Sequence, residues 1–222
     1  MTVPEPTATA GRDDAPDTAG PSSTAPARRG GLGPRDLITV GVFAALYVVV
    51  YFVFSFVGFI NPVVLVVSLL LGVIAGGIPF MLFLTRVHRP GMIFLFSALL
   101  GILLLVLGEP PLTVGWLLLL GVVCELIMRA GRYRSRTAAV ATYTVFACWV
   151  AGQFFPLFYD RAGYLSNSSM SQMSPEYLAT FNELLSVRNL ILFDLAIIPF
   201  GLAGALLGLR LLDKHFRRAG LS

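Results

Sequence analysis

The sequence predicts an all-α integral membrane protein, a bundle of six transmembrane helices with both termini in the cytoplasm. Three observations predict it. Apolar residues make up 56% of the 222 and charged residues only 13%, with a mean hydropathy of +0.81; a water-soluble domain of that size has no interior large enough for so much hydrocarbon. Residues 37–85 run for 49 positions without one Asp, Glu, Lys or Arg. The basic residues also fall in a strongly one-sided pattern along the chain.

Residues 1–34 are rich in Pro, Ala, Gly, Thr, Ser and Asp. Such a segment buries too little surface to offset its ordering entropy and is expected to be a disordered cytoplasmic tail. It has no apolar core of a signal peptide. The charge-free run that follows would be about 73 Å long as one helix, more than twice a hydrocarbon core of about 30 Å. It must cross twice, turning at Gly58–Pro62, which gives spans over 37–57 and 62–85. Gly72, Gly76, Gly77 and Pro79 predict a kink or short break near Gly76 in the second. Further spans follow at 91–108, 111–129, 137–159 and 189–212, completing a membrane domain over 35–215.

With six crossings, fourteen of the sixteen Lys and Arg residues share one side and only Arg161 and Arg188 lie on the other. Cytoplasmic loops carry that excess, so both termini are expected inside and the protein in the plasma membrane. The same scatter leaves no basic face for nucleic acid. Segment 160–188 is an outer loop, in which Ser174-Pro175-Glu176 reads as a helix start. Tyr177, Leu178, Phe181, Leu184 and Leu185 then share one face, giving a short amphipathic helix that lies in the interface or covers a cavity mouth.

Enzymatic signatures are missing. There is no phosphate-binding G-x-x-x-x-G-K-[ST] and no H-E-x-x-H, and both histidines, His88 and His215, sit on the inner rim. Cys124 and Cys148 lie inside apolar runs with neither disulfide nor zinc spacing. A non-enzyme with no cofactor and no metal is expected. The polar residues gather instead toward the outer face: Asn61, Glu109, Trp149, Gln153, Asp160, Arg188, Asn189 and Asp194 are the candidate substrate-binding set. Asp194 lies inside the last span, where a carboxylate needs a partner such as Arg188, or water. Asp194, Glu109 and Asp160 suit a cationic or polar ligand, whereas Arg161 and Arg188 equally suit an anion. Glu125, one turn before Arg129, reads as an i,i+4 ion pair. Small residues recur at helical spacing in the first span (Gly41, Ala45) and the last (Gly201, Gly204, Ala205, Gly208), for packing inside the bundle or against a partner.

Three stretches carry a resemblance: RDLITVGVFAALYVVVYFV, GGIPFMLFLTRV with Gly-Met after the following basic loop, and ELIMRAGRYRS. Over about residues 35–215 the chain resembles the substrate-binding (S) components of energy-coupling factor transporters, and more narrowly the MptD or Trep_Strep group of such components. The resemblance implies a six-helix bundle that captures a small micronutrient at the outer face. It also implies association with a transmembrane coupling (T) subunit and two cytoplasmic ATPases, with Gly41, Ala44 and Ala45 at the coupling contact. The expected function is the S subunit of such an ATP-driven importer. The alternative is a stand-alone small-molecule carrier, which would need acids spanning the full membrane depth or an inverted repeat.

Overall fold

The computed structural model describes residues 33–87, 89–167 and 170–218, with side chains through 214. The expected tail, apart from Gly33 and Pro34, lies outside the described residues, as does His88. Every regular element among the described residues is helical: α1 (Pro34–Val57), α2 (Pro62–Leu84), α3 (Met92–Val106), α4 (Pro111–Ala130), α5 (Arg136–Ala147), α6 (Pro156–Tyr159), α7 (Arg161–Leu165), α8 (Pro175–Leu184) and α9 (Val187–Arg218). Short 3-10 segments join α1 to α2 and α5 to α6. Four stretches, Pro34–Ile60, Pro62–Leu84, Pro111–Ala130 and Val187–Lys214, are long and apolar enough to cross a membrane. The 15 residues of α3 rise only about 22 Å.

Local chemistry sets the helix starts. Proline occupies the first position of α1, α2, α4 and α8, where its missing N–H removes a donor that would have no intrahelical partner anyway. Asn61 Oδ1 accepts from Val63 N at 2.8 Å and Ser174 Oγ from Tyr177 N at 3.2 Å, capping α2 and α8. The start of α3 is different. Its N-cap is Gly91 in the left-handed region (φ 92°), with no side chain to offer. Glu125 of α4 caps it instead, accepting from Gly91 N at 2.8 Å, Ile93 N at 3.1 Å and Phe94 N at 3.3 Å, and from Tyr133 Oη at 2.5 Å. The expected Glu125–Arg129 pair is not formed among the described residues. Three backbone donors at a helix start outcompete a guanidinium that is free to reach solvent.

Ion pairs Arg89–Asp36 (3.7 Å) and Arg136–Asp213 (3.0 Å) tie the end of the bundle that holds Pro34 and Asp213. We call it the proximal end, and the end with the α1–α2 and α3–α4 turns the distal end. Between them lies an aromatic core. Phe80 stacks on Phe146 (4.4 Å between centroids) and Phe83 on Phe96 (4.7 Å), with Tyr47 packed edge-on to Phe80, Phe96 and Phe146. All four phenylalanines are wholly buried. With lipid outside as apolar as the interior, such close packing and interhelical hydrogen bonds hold the helices together, not the exclusion of water.

Three expectations change. Of the kink or short break expected near Gly76, the break does not occur: α2 is continuous through Pro79. Its glycines are sites of close approach, and a Cβ on Gly77 would overlap the Gly204 backbone of α9. The span expected over 137–159 is not one α-helix, because α5 stops at Ala147 and a 3-10 segment, Cys148–Phe154, follows. Pro156 has no N–H for the Gly152 carbonyl, which receives Thr113 Oγ1 from α4 at 2.9 Å; Trp116 Nε1 donates to Cys148 O at 2.9 Å. Gly152 O accepts from Phe155 N as well, at 3.3 Å, so donors from α4 add second bonds to carbonyls of the 3-10 segment and tie it to α4. Finally, Ala44 does not reach a surface. It is wholly buried, on the face formed by Val40, Ala44, Tyr47 and Tyr51. Gly41 and Ala45 face outward, and a Cβ on Gly41 would meet nothing within 4 Å. The small residues of α9 are used internally: Gly201 abuts Thr144 and Ala147, Gly204 abuts Val73 and Ile74, and Ala205 is buried.

Candidate functional site

Glu109 is held in place by the way α3 ends. Gly108 takes φ +92°, Glu109 N donates to Leu104 O at 3.0 Å, and Gly108 N donates to Leu105 O at 3.1 Å. This is a Schellman closure, which requires a residue tolerant of the left-handed region just past the last turn. Pro110 and Pro111 then start α4 at once, so Leu-Gly-Glu-Pro-Pro fixes the Glu109 backbone from both sides. The side chain is half-buried at the distal end, and among the described residues its carboxylate accepts no hydrogen bond. Tyr51 donates to Gln153 Oε1, and Gln153 Nε2 donates to Val150 O at 3.2 Å. Trp149 lies 4.8 Å from Tyr51, ring centroid to ring centroid, and donates to Tyr47 Oη at 2.9 Å.

Above this group sits a packed cover. Phe181 of α8 is wholly buried, with Tyr164 at 6.2 Å and Tyr177 at 6.1 Å, both rings nearly parallel to it. Arg161 ties α7 to α8, donating to Asn182 Oδ1 at 2.9 Å and Leu185 O at 2.6 Å. Tyr177 Oη donates to Gly58 O at 3.2 Å, fastening the cover to the α1–α2 turn. The apolar face of α8 therefore closes on the bundle.

Burial raises the Glu109 carboxyl from an ordinary 4.5 to about 7. It raises Tyr164 too, with the Glu109 charge adding to the effect, and it raises Tyr177. The sign for Glu109 is that of a buried acid. Its stabilising contribution is complete below about 4.5 and lost as pH rises through about 7. Glu109→Gln is therefore expected to raise the melting temperature at pH 8 by roughly 5 °C and to leave it nearly unchanged at pH 4. Thermal unfolding of both proteins in one detergent across that range checks it; an equal gain at both values would remove the buried charge as the cause.

A family model described as "Hypothetical bacterial integral membrane protein (Trep_Strep)" matches residues 34–218. The chain belongs to the Trep_Strep family. The match starts at the first residue of α1 and ends at the last of α9, so the family unit is this helical bundle. No curated protein and no solved structure matches the chain.

In this Trep_Strep protein Gln153 and Trp149 of the sequence-predicted set meet at Tyr51, and Glu109 stands in the α3–α4 turn at the distal end. The others lie apart or are engaged elsewhere. Asp160 Oδ1 caps α7 by accepting from Gly163 N at 2.9 Å, Asn61 caps α2, and Asn189 Nδ2 donates to Leu184 O at 2.8 Å. Asn61 also borders a separate groove of about 360 Å3 between the α1–α2 turn and α8. Arg188 is exposed and forms no ion pair with Asp194. Asp194 Oδ1 is buried and without a hydrogen-bond partner among the described residues. Tyr51 and Tyr164 were missed. For Tyr51 the signal was present: with Tyr47 at i,i+4 it puts two hydroxyls on one face of a helix with no charge between 37 and 57. Among the described residues no group of three or more His, Cys, Asp or Glu is placed to hold a metal ion.

Proposed function

We propose that this Trep_Strep chain is the substrate-binding (S) subunit of an energy-coupling factor importer. It crosses the plasma membrane six times with both termini in the cytoplasm. It captures a small micronutrient at its distal, outer end and is driven by a transmembrane coupling subunit and two cytoplasmic ATPases. The observation that carries the reading is a one-ended site. Polar groups gather at the distal end, with half-buried Glu109 in the α3–α4 turn, Tyr51 bonded to Gln153 beside Trp149, and the α7–α8 cover fastened to the α1–α2 turn, while the bundle beneath is filled by Phe80, Phe83, Phe96 and Phe146. Such a chain holds a ligand but offers it no path onward, so transport needs a partner.

Two features support the coupling half. The proximal end carries the excess of Arg that cytoplasmic segments carry. The Gly41–Ala45 pair of α1 faces outward, whereas the comparable stripe of α9 is filled by α2 and α5. A partner helix approaches closest where side chains are smallest.

The test is purification of the tagged chain from its native membranes in mild detergent, with identification of what co-purifies. Recovery of a membrane coupling subunit with ATPases is expected. Gly41→Leu should reduce that recovery at least tenfold while the chain stays folded, since a Cβ at that position meets nothing of its own bundle within 4 Å. Recovery of the chain alone, under detergent that preserves other complexes, would replace this reading with an autonomous carrier, to be assayed in proteoliposomes without ATP.

A further inference from the structure

We infer that a groove at the proximal end is a binding site for an amphiphilic anion, a phosphate or carboxylate head on Arg134 and Ser135 with a short alkyl chain on an apolar floor. The inference goes beyond the importer reading and does not rest on it. The groove is built from other residues, at the opposite end of the bundle from Glu109.

The groove has a volume of about 230 Å3 and lies where the ends of α2, α4 and α9 meet the start of α5. Its floor is made by Met81 and Leu84 of α2, Met128 of α4 and Leu212 of α9, all four buried. A space of that size equals about eight water molecules of the liquid, enough for a short alkyl chain. Water against such a floor finds few polar partners, so an apolar group displaces it favourably.

The rim supplies the sign. Among the described residues, three charged side chains line the groove: Arg134, Arg136 and Asp213. Arg136 and Asp213 answer each other through two bonds, at 3.2 and 3.0 Å. The Arg134 guanidinium has neither an ion pair nor a hydrogen bond among the described residues. Beside it, Ser135 Oγ accepts from Ala138 N at 3.3 Å as the cap of α5, which leaves its hydroxyl hydrogen uncommitted. The other hydroxyls of the rim are spent, Thr85 on Leu82 O at 2.7 Å and Tyr133 on Glu125. The unanswered charge lining the groove is therefore positive, with one free O–H next to it in the chain. A guanidinium and a hydroxyl together match the oxygens of a phosphate or carboxylate.

The turn that carries both donors is a strained one. Arg132 and Tyr133 precede them at φ 51° and 54°, a costly region for residues other than glycine. Tyr133 is fixed at both ends, its N–H on Met128 O at 2.9 Å and its hydroxyl on Glu125. Strain of this kind persists where the surroundings impose it, and here it sets Arg134 and Ser135 at the rim of the groove whose floor is apolar.

Calorimetric titration of the purified full chain in phosphatidylcholine nanodiscs tests this, with empty nanodiscs as the reference for partitioning. The probes are hexyl phosphate, hexanol, hexylammonium and inorganic phosphate. Saturable binding of hexyl phosphate is expected, at least tenfold tighter than that of the other three. Arg134 is exposed, so Arg134→Gln leaves the fold intact and should weaken the binding at least tenfold. Arg134→Lys should keep the preference for the anion. Arg132→Gln, on the same turn but outside the groove, should change the affinity by no more than about threefold. Replacing a third of the lipid by phosphatidylglycerol distinguishes the sources of the anion. A weaker apparent affinity for hexyl phosphate would assign the site to a membrane phosphate, and an unchanged one to an anion from solution. Hexanol or hexylammonium binding as tightly as hexyl phosphate would overturn the charge class. Inorganic phosphate binding as tightly would show that the floor takes no part and that only a surface arginine is read. Equal losses for Arg132→Gln and Arg134→Gln would replace the groove with diffuse attraction, and no saturable binding of hexyl phosphate would remove the site. The importer reading is decided separately by the co-purification, because this titration needs no partner subunit.

Discussion

Gly204→Leu is expected to prevent this chain from accumulating as a monodisperse folded protein. Helices α2 and α9 cross with their backbones in contact. A Cβ at Gly204 would lie 2.9 Å from the carbonyl oxygens of both Val73 and Ile74, and one at Gly208 would lie 2.8 Å from Gly77 O. These neighbours are backbone atoms inside helices and cannot rotate away as a side chain would. The helices would have to part, which loosens the packing of Val73, Met81 and Ala205 and the hydrogen bond from Tyr143 to Val73 O. Overpacking of a rigid site costs about 1–3 kcal/mol, and forced separation of two backbones more. In a bilayer there is little hydrophobic drive to offset the loss, because lipid accepts the exposed faces readily. Fluorescence-detected size exclusion and thermal unfolding check it. Gly204→Ala should be intermediate, and Gly115→Leu, at a site where a Cβ meets nothing within 4 Å, should behave as wild type. A Gly204→Leu protein with the wild-type melting temperature would show that the crossing is not as tight as its geometry.

That contrast also marks where sequence reading stops. The local devices were legible: proline after a capping residue starts α2 and α8, and Leu-Gly-Glu-Pro-Pro ends α3 and starts α4. Each is decided within a few residues of chain. Small-residue spacing was legible as well, but not its direction. Gly204 and Gly208 face α2, Ala44 faces the core, and only the Gly41–Ala45 pair of the first helix is turned outward. The 3-10 segment after α5 was hidden because the Thr113 and Trp116 side chains that bond its carbonyls come from another helix. Of the site, the crowding of polar groups toward one end was readable. Which of them remain available was not, since Asp160, Asn61 and Asn189 are each engaged by a backbone group that spacing does not reveal. Glu125 failed for the same reason, its three backbone partners lying more than thirty residues away in the chain.

Glu125→Ala is expected to be the most damaging single substitution at the proximal end. It leaves the N–H groups of Gly91, Ile93 and Phe94 and the hydroxyl of Tyr133 without their acceptor, at a helix start that has no capping side chain of its own. Charge-assisted bonds of this kind contribute about 1.5–3 kcal/mol each, so even partial rescue by water leaves a loss of at least about 3 kcal/mol. The turn that delivers Tyr133 adds to it. Arg132 and Tyr133 both adopt the left-handed region, at φ 51° and 54°, a conformation that costs about 1–2 kcal/mol for a residue other than glycine. The bond to Glu125 supports it, together with the backbone bonds of Arg132 N to Arg129 O at 3.0 Å and Tyr133 N to Met128 O at 2.9 Å. Removing one bond at a time gives a ranking. Tyr133→Phe keeps the three backbone bonds and should cost about 1 kcal/mol. Glu125→Gln keeps one acceptor oxygen but sets an amide N–H against backbone donors, and should fall between Phe and Ala. Arg129→Ala should be nearly neutral, which separates this arrangement from an ion pair along α4. Hydrogen exchange at residues 91–95 together with thermal unfolding reads both the local and the global effect. Equal losses for Glu125→Ala and Arg129→Ala would mean that the carboxylate serves its neighbour on α4; a large loss for Glu125→Ala alone, with exchange accelerated at the start of α3, would mean that the tie between α3 and α4 is made through it.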